Sequence, residues 1–280
     1  MNPIEKLMGF IMNGIYECLY FIGVKDVGWN IVLSTVFFTI LIYMLLLPMT
    51  IKQQKFSRIS AVMNPEIQKI QEKYKGKTDQ ASMMKMQEET KAVYKKYGSS
   101  PSSGCLGSLI QLPFLFALWP VMRNVSEHVG RIDGDKIHTV LGIVVSGNET
   151  TPAATPSSLI KSGDAALIVV AILIPLLVGV TQIASTKISQ KLMQSRSDKK
   201  EENALPKQMN MMMTIMPLMS VFMCFSMEVV LGLYWIVSAV VRTIQQIIIN
   251  KVLDKKPIEE LVKENMEKAA KKNARKQSQK

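Results

Sequence analysis

The chain has 280 residues, of which 48% are hydrophobic and 7% aromatic, and its 34 Lys and Arg against 22 Asp and Glu give a formal net charge of +12. The apolar residues collect into five windows almost free of charge, which excludes an ordinary soluble domain and predicts a polytopic membrane protein. The windows lack the alternation of barrel strands, so the expected fold class is all-α, because a helix satisfies its own backbone in lipid.

In chain order, residues 1–28 come first. Within them LMGFIMNGIYECLYFI (7–22) repeats Met8, Ile11, Ile15 and Leu19 at helical spacing, with Asn13 and Glu17 on another face. This predicts an N-terminal interfacial helix; a sixth span or a signal segment is the alternative. The five spans follow at Trp29–Met49, Cys105–Met122, Ala165–Thr186, Met209–Met227 and Val229–Asn250. At about 1.5 Å per residue each is roughly 27–33 Å long, the thickness of a bilayer core.

Between the first two spans, residues 51–104 are too polar to cross. Phe56, Ile59, Met63, Ile67, Ile70 and Tyr74 step by three or four, as do Met83, Gln87, Thr90, Val93 and Tyr97. Two amphipathic helices joined near Gly76 form a helical hairpin, with Thr78 or Asp79 capping the second. The hairpin has little apolar surface of its own and is expected to move. The loop 126–163 reads as a flexible connection with a short apolar piece, VLGIVV, and its His128 and His138 form no metal pattern. The tail 251–280 holds ten basic and five acidic residues. It reads either as a solvated tail or as a ribosome contact through Lys268, Lys271, Lys272, Arg275 and Lys276, which would bind rRNA phosphates.

Charge sets the expected topology. Residues 51–104, 187–208 and 251–280 hold 27 of the 34 basic residues, whereas 126–163 holds three. Basic loops stay in the cytoplasm. Five spans then place the N-terminus outside, the C-terminus inside, 51–104 as a cytoplasmic hairpin and 126–163 as an outer loop.

The spans carry polar residues at helical spacing: Thr35, Thr39 and Tyr43; Ser108 and Gln111; Thr181, Gln182 and Ser185; Asn210 and Thr214; Tyr234, Ser238, Arg242 and Gln245. Singly, each reads as a hydroxyl or amide bonding its own or a neighbouring helix. Together, and mostly in the cytoplasmic half, they predict a substrate groove open to the cytoplasm. Eight of the 19 residues in 209–227 are Met, a composition suited to varied apolar partners. No Asp, Glu, His or Lys lies in any window, and no nucleophile elbow, zinc-protease or phosphate-loop motif is present. No catalytic constellation, cofactor or metal is indicated, so the expected protein is not an enzyme.

Particular stretches then carry a resemblance. LLLPMTIKQQKFS (45–57) followed by MNPEIQKIQEKYKG, SPSSGCLGSLIQLPFLFALW (100–119), MPLMSVFM and LGLYWIVSAVVRTIQQ (231–246) resemble, in order and spacing, the core of the YidC membrane-protein insertase family, of the Gram-positive type without a large periplasmic domain. The resemblance implies a five-transmembrane-helix core over 29–250 with a cytoplasmic helical hairpin. It also implies insertion and folding of nascent membrane proteins in the phospholipid bilayer of the cell membrane, alone or with the Sec translocon. The family usually carries an arginine in the first core span, five residues before the proline that is Pro48 here; that position is Tyr43, with the matching Thr present as Thr39. Arg242 is the one charged residue inside the windows. It either extends to the headgroups or replaces the missing arginine, facing Tyr43 and Gln111. A small-solute transporter or channel is the alternative function, predicting an inverted repeat that the sequence does not show. A scaffold recruiting ribosomes or nucleic acid through its basic loops is the third.

Overall fold

The computed structural model describes residues 3–77, 79–100, 119–147, 151, 153–194, 215 and 219–277. These residues are mostly helical and divide into two compact units. Three helices among them are long and apolar enough to cross a membrane: Val27–Leu45, Ala165–Leu192 and Val229–Leu253. Most of the expected spans 105–122 and 209–227, with Ser108, Gln111, Asn210 and Thr214, lies outside the described residues, as does Thr78.

The first unit comprises residues 1–46, 110–187 and 211–244. Helix α1 (Pro3–Ile22) packs Met8, Met12, Tyr16 and Leu19 inward. The seam therefore differs from the expected Met8, Ile11, Ile15, Leu19 set: Ile11 and Ile15 are only half-buried against the same core. The opposite face is also apolar and is exposed at Leu7, Phe10 and Phe21. Helix α2 (Val27–Leu45) starts two residues before the expected span, because the Asp26 carboxylate caps it by accepting from the Trp29 N–H. It also ends earlier, at Leu45 rather than Met49. Pro48 belongs to the first turn of α3 (Leu47–Lys73), where its missing N–H costs nothing.

Where the expected flexible connection 126–163 is described, it carries regular secondary structure. They hold part of α5 (Val125–His128), a two-stranded hairpin of β1 (His138–Val140) and β2 (Ile143–Ser146), and α6 (Pro156–Lys161). The apolar piece VLGIVV is this β-hairpin, an exception to the all-α expectation. Its alternation buries Val140 and Val145 in the core shared with α1 and α2, and Ile143 against a second cluster. Backbone bonds continue the sheet edge, Ala154 donating to Val144 and Val229 to Ala154. Gly28 is required where α2 meets β1: an added Cβ would stand 2.5 Å from the Thr139 carbonyl oxygen. Helices α7 (Ala165–Gln194) and α8 (Val229–Leu253) complete the apolar elements.

The second unit comprises residues 47–109, 188–210 and 245–280. Helix α3 runs through Pro65, and α4 (Gln80–Lys96) is capped by Asp79, which accepts from the Ser82 N–H. Met63, Ile67 and Val93 form the seam, with Ile70, Tyr94 and Tyr97 around it; the expected seam residue Met83 is exposed. The seam is flanked by two equivalent clamps. Lys96 and Tyr97, ending α4, both reach the Glu66 carboxylate at 2.7 Å, while Lys73 and Tyr74, ending α3, reach Glu89 at 2.6 and 2.9 Å.

The tail is not simply solvated. Residues 251–253 complete α8, and α9 (Ile258–Gln277) buries Leu261 against Ile249 and Leu253. The Asn265 amide donates to the carbonyls of Tyr97 and Gly98, both at 2.9 Å. Gly98 has φ +62° and an added Cβ would stand 2.8 Å from the Met266 Cα, so only glycine lets α9 approach. The hairpin is thus held by α9 as well as by its own connections.

Candidate functional site

The polar residues of the apolar helices fall into three groups. At the start of α2, the Asn30 amide donates to the carbonyls of Tyr16 and Val24, and Ser34 donates to the Asn30 side chain. Both side chains are fully buried and tie α1 to α2. Sequence reasoning missed them; an Asn in an otherwise apolar window was the available signal.

Further along α2, Thr35 and Thr39 are buried and donate to the carbonyls four residues earlier, at 2.9 and 2.7 Å. Ser238 and Thr181 similarly donate to carbonyls of their own helices. A hydroxyl that bonds its own helix keeps acceptor capacity for a further partner. Tyr234 is buried and Gln182 half-buried. Gln245 is buried in the second unit. Helices α7 and α8 share polar pairs: the hydroxyls of Ser185 and Thr243 lie 2.9 Å apart, and Ser189 donates to Gln246 at 2.7 Å.

The last group joins α8 to α2. The Arg242 guanidinium donates to the Tyr43 hydroxyl at 3.3 Å and its Cζ stands 5.8 Å from the ring centroid. Tyr43 is buried and Arg242 half-buried, and the Arg242 Nε has no partner among the described residues. The expected third member, Gln111, lies outside them. Tyr43 supplies an acceptor and a ring face but no negative charge, so the guanidinium keeps its full charge.

In the second unit, Arg58 is the buried cation that sequence reasoning missed. It is 5% exposed and donates to the Asn250 carbonyl at 2.5 Å and to Asp254 Oδ1 at 2.8 Å. It stands beside the seam residue Ile59, and a charged residue there looked like part of the solvated face. Of the tail's basic residues on α9, the side chain of Lys271 is described and is exposed; those of Lys268, Lys272, Arg275 and Lys276 lie outside the described side chains. No group of acids, histidines and cysteines fit to hold a metal occurs among the described residues.

A family model described as "60Kd inner membrane protein" matches residues 22–256. The chain belongs to this family. The chain is also similar, over most of its length, to proteins named as membrane protein insertases. Membrane protein insertase MisCA of Bacillus subtilis is 31% identical over 232 residues, which are 82% of this chain and 73% of that protein. Membrane protein insertase YidC of Clostridium perfringens is 28% identical over 262 residues, covering 93% and 95% of the two chains. YidC of Oceanobacillus iheyensis is 28% identical over 230 residues, 82% and 77%. The YidC resemblance read from the sequence motifs is to this insertase family, and the apolar helices place the chain among membrane proteins.

Proposed function

We propose that this chain inserts and folds newly made membrane proteins through a hydrophilic groove open to the cytoplasm, in which Arg242 takes the place of the family's first-span arginine. The family supports insertion as the activity. The observation that carries the groove reading is the Arg242–Tyr43 contact, in spans that contain no acid to neutralise the guanidinium. An arginine at membrane depth costs roughly 2.5–3.5 kcal/mol on insertion scales, so a wet cavity is its expected surrounding. A retained positive charge at that depth attracts the polar or acidic flank of an incoming segment. The segment's apolar helix then partitions into lipid, driven by transfer of about twenty apolar residues. No nucleotide or cofactor is needed for such a step.

The remaining architecture belongs to the same reading. The core has five spans, the hairpin α3–α4 and α9 face the cytoplasm, α1 lies in the outer interface, and the N-terminus is outside. The basic half of α9 contacts the ribosome, and the Sec translocon is a further partner. The deciding experiment is reconstitution into proteoliposomes with a short single-span substrate. Protease-protected insertion above that of empty vesicles is expected, without flux of small solutes; solute flux without insertion would favour a transporter.

A further inference from the structure

The turn of the β-hairpin has an unusual occupant. Leu141 and Gly142 both have positive φ, 52° and 80°, a geometry that two-residue hairpin turns normally fill with Asn-Gly or Asp-Gly. Leu141 is the one non-glycine residue with positive φ among the described residues, and a bulky side chain is disfavoured there. It is also 80% exposed. A strained, exposed leucine gains nothing from the protein itself.

The surroundings of the turn identify what covers it. An added Cβ at Gly142 would meet the Leu167 side chain at 3.8 Å, and Ile143 packs in a cluster with Ala171 of α7. Helix α7 begins just after Asp164, whose carboxylate accepts from the Ala166 N–H at 2.8 Å. The turn is therefore level with the stretch from Leu167 to Ala171, about 3–9 Å along α7 from its polar start. On this stretch and just beyond it Val169 and Ile172 are exposed, on a helix of membrane-spanning length. The segment leading into β1 is charged instead, with exposed Asp133, Asp135 and Lys136. The hairpin thus has a charged base and an apolar tip.

We propose that Leu141 is a lipid anchor: the hairpin dips its tip into the acyl chains of the leaflet surrounding the first turns of α7. Burial in hydrocarbon offsets the backbone strain and fixes the hairpin's depth. This surface is continuous with the lipid-facing side of α7 and does not depend on the insertase mechanism.

The test uses the full chain in phospholipid vesicles, with Cys18, Cys105 and Cys224 replaced by Ala and a nitroxide placed at Leu141→Cys. Position 141 is exposed, so the substitution leaves buried contacts in place. Ile172→Cys is the lipid-facing reference and Asp135→Cys the aqueous one. The ratio of oxygen to water-soluble nickel-chelate collision at 141 should match that at 172 and exceed that at 135 several-fold. A ratio like that at 135 would place the tip in water and overturn the proposal. Poor access to both reagents would mean cover by a second copy or another protein, and would overturn it equally.

Discussion

The Arg242 guanidinium reaches the phenolic oxygen of Tyr43 at 3.3 Å, joining the helix Val229–Leu253 to the helix Val27–Leu45 through one charged and one neutral group. The contact sets a cation beside Tyr43, the position at which the family resemblance implies an arginine, and its partner is a neutral phenol.

Arg242→Ala should reduce insertion of a single-span substrate with an acidic outer tail about tenfold or more, a loss of about 1.4 kcal/mol of differential stabilisation. Adding Tyr43→Arg should restore much of the activity, because the charge returns from the opposite helix. Full activity of the single variant would remove Arg242 from the mechanism.

Arg58 lies in a low-dielectric site with Asn250 and Asp254 as acceptors. Removing Asp254 leaves the guanidinium one charged partner short. Asp254→Ala should destabilise by about 1–3 kcal/mol, and Arg58→Ala by more, since three acceptor contacts vanish together. Thermal unfolding in detergent measures both.

The hairpin clamps make its closure pH-dependent at both ends. Hydrogen bonds from Lys96 and Tyr97 hold the Glu66 carboxyl below its ordinary 4.5, and those from Lys73 and Tyr74 do the same for Glu89. A depressed carboxyl stabilises the fold above its unfolded value, and that contribution is lost as pH falls through the folded one. Bonding to Glu66 raises Lys96 and Tyr97, so their contribution is present below their ordinary values and fades as pH rises through the raised ones. Protease resistance of residues 47–98 should therefore be greatest between these limits and fall on acidification below the ordinary carboxylate range. Glu66→Gln should flatten the acid limb; an unchanged acid limb would assign the loss elsewhere.

The two halves of the tail helix should separate by mutation. Replacing Lys268, Lys271, Lys272, Arg275 and Lys276 with Glu should weaken low-salt co-sedimentation with ribosomes while leaving stability unchanged. Asn265→Ala should instead loosen the helix from Tyr97 and Gly98, exposing it to protease, with ribosome binding retained. Equal ribosome binding by the charge-reversed chain would exclude the tail as the contact.

Topology is read by labelling. Cysteines at the exposed positions Lys75 and Lys136, in an otherwise Cys-free chain, should react from opposite sides of sealed vesicles. Reaction of both from one side would end the assignment of inside and outside.

Three of the five apolar windows correspond to described helices of membrane-spanning length, and these were legible because length and absence of charge suffice to mark a membrane helix. Asp79 was legible as a cap, and the Met63–Ile67–Val93 seam by its period. The boundary at Pro48 was less so, because a proline that ends one helix and one that starts the next look alike. The β-hairpin escaped because VLGIVV is too short for periodicity, and its pairing depends on a core assembled from α1 and α2. Arg58 escaped for a related reason: its acceptors are nearly two hundred residues away in the chain. The Tyr43–Arg242 contact was legible only through depth counting from the basic residues that follow each span.

The reciprocal clamps of the hairpin have a mechanical consequence. Each acid is gripped by the Lys-Tyr pair at the C-terminal end of the opposite helix, so the two grips sit at different heights along the rod. Sliding one helix past the other by a turn, about 5.4 Å, would break both at once. Bending or tilting of the pair as a body breaks neither. The clamped part of the hairpin therefore resists sliding, and a push delivered at its tip near Gly76 arrives at Glu66 largely undiminished.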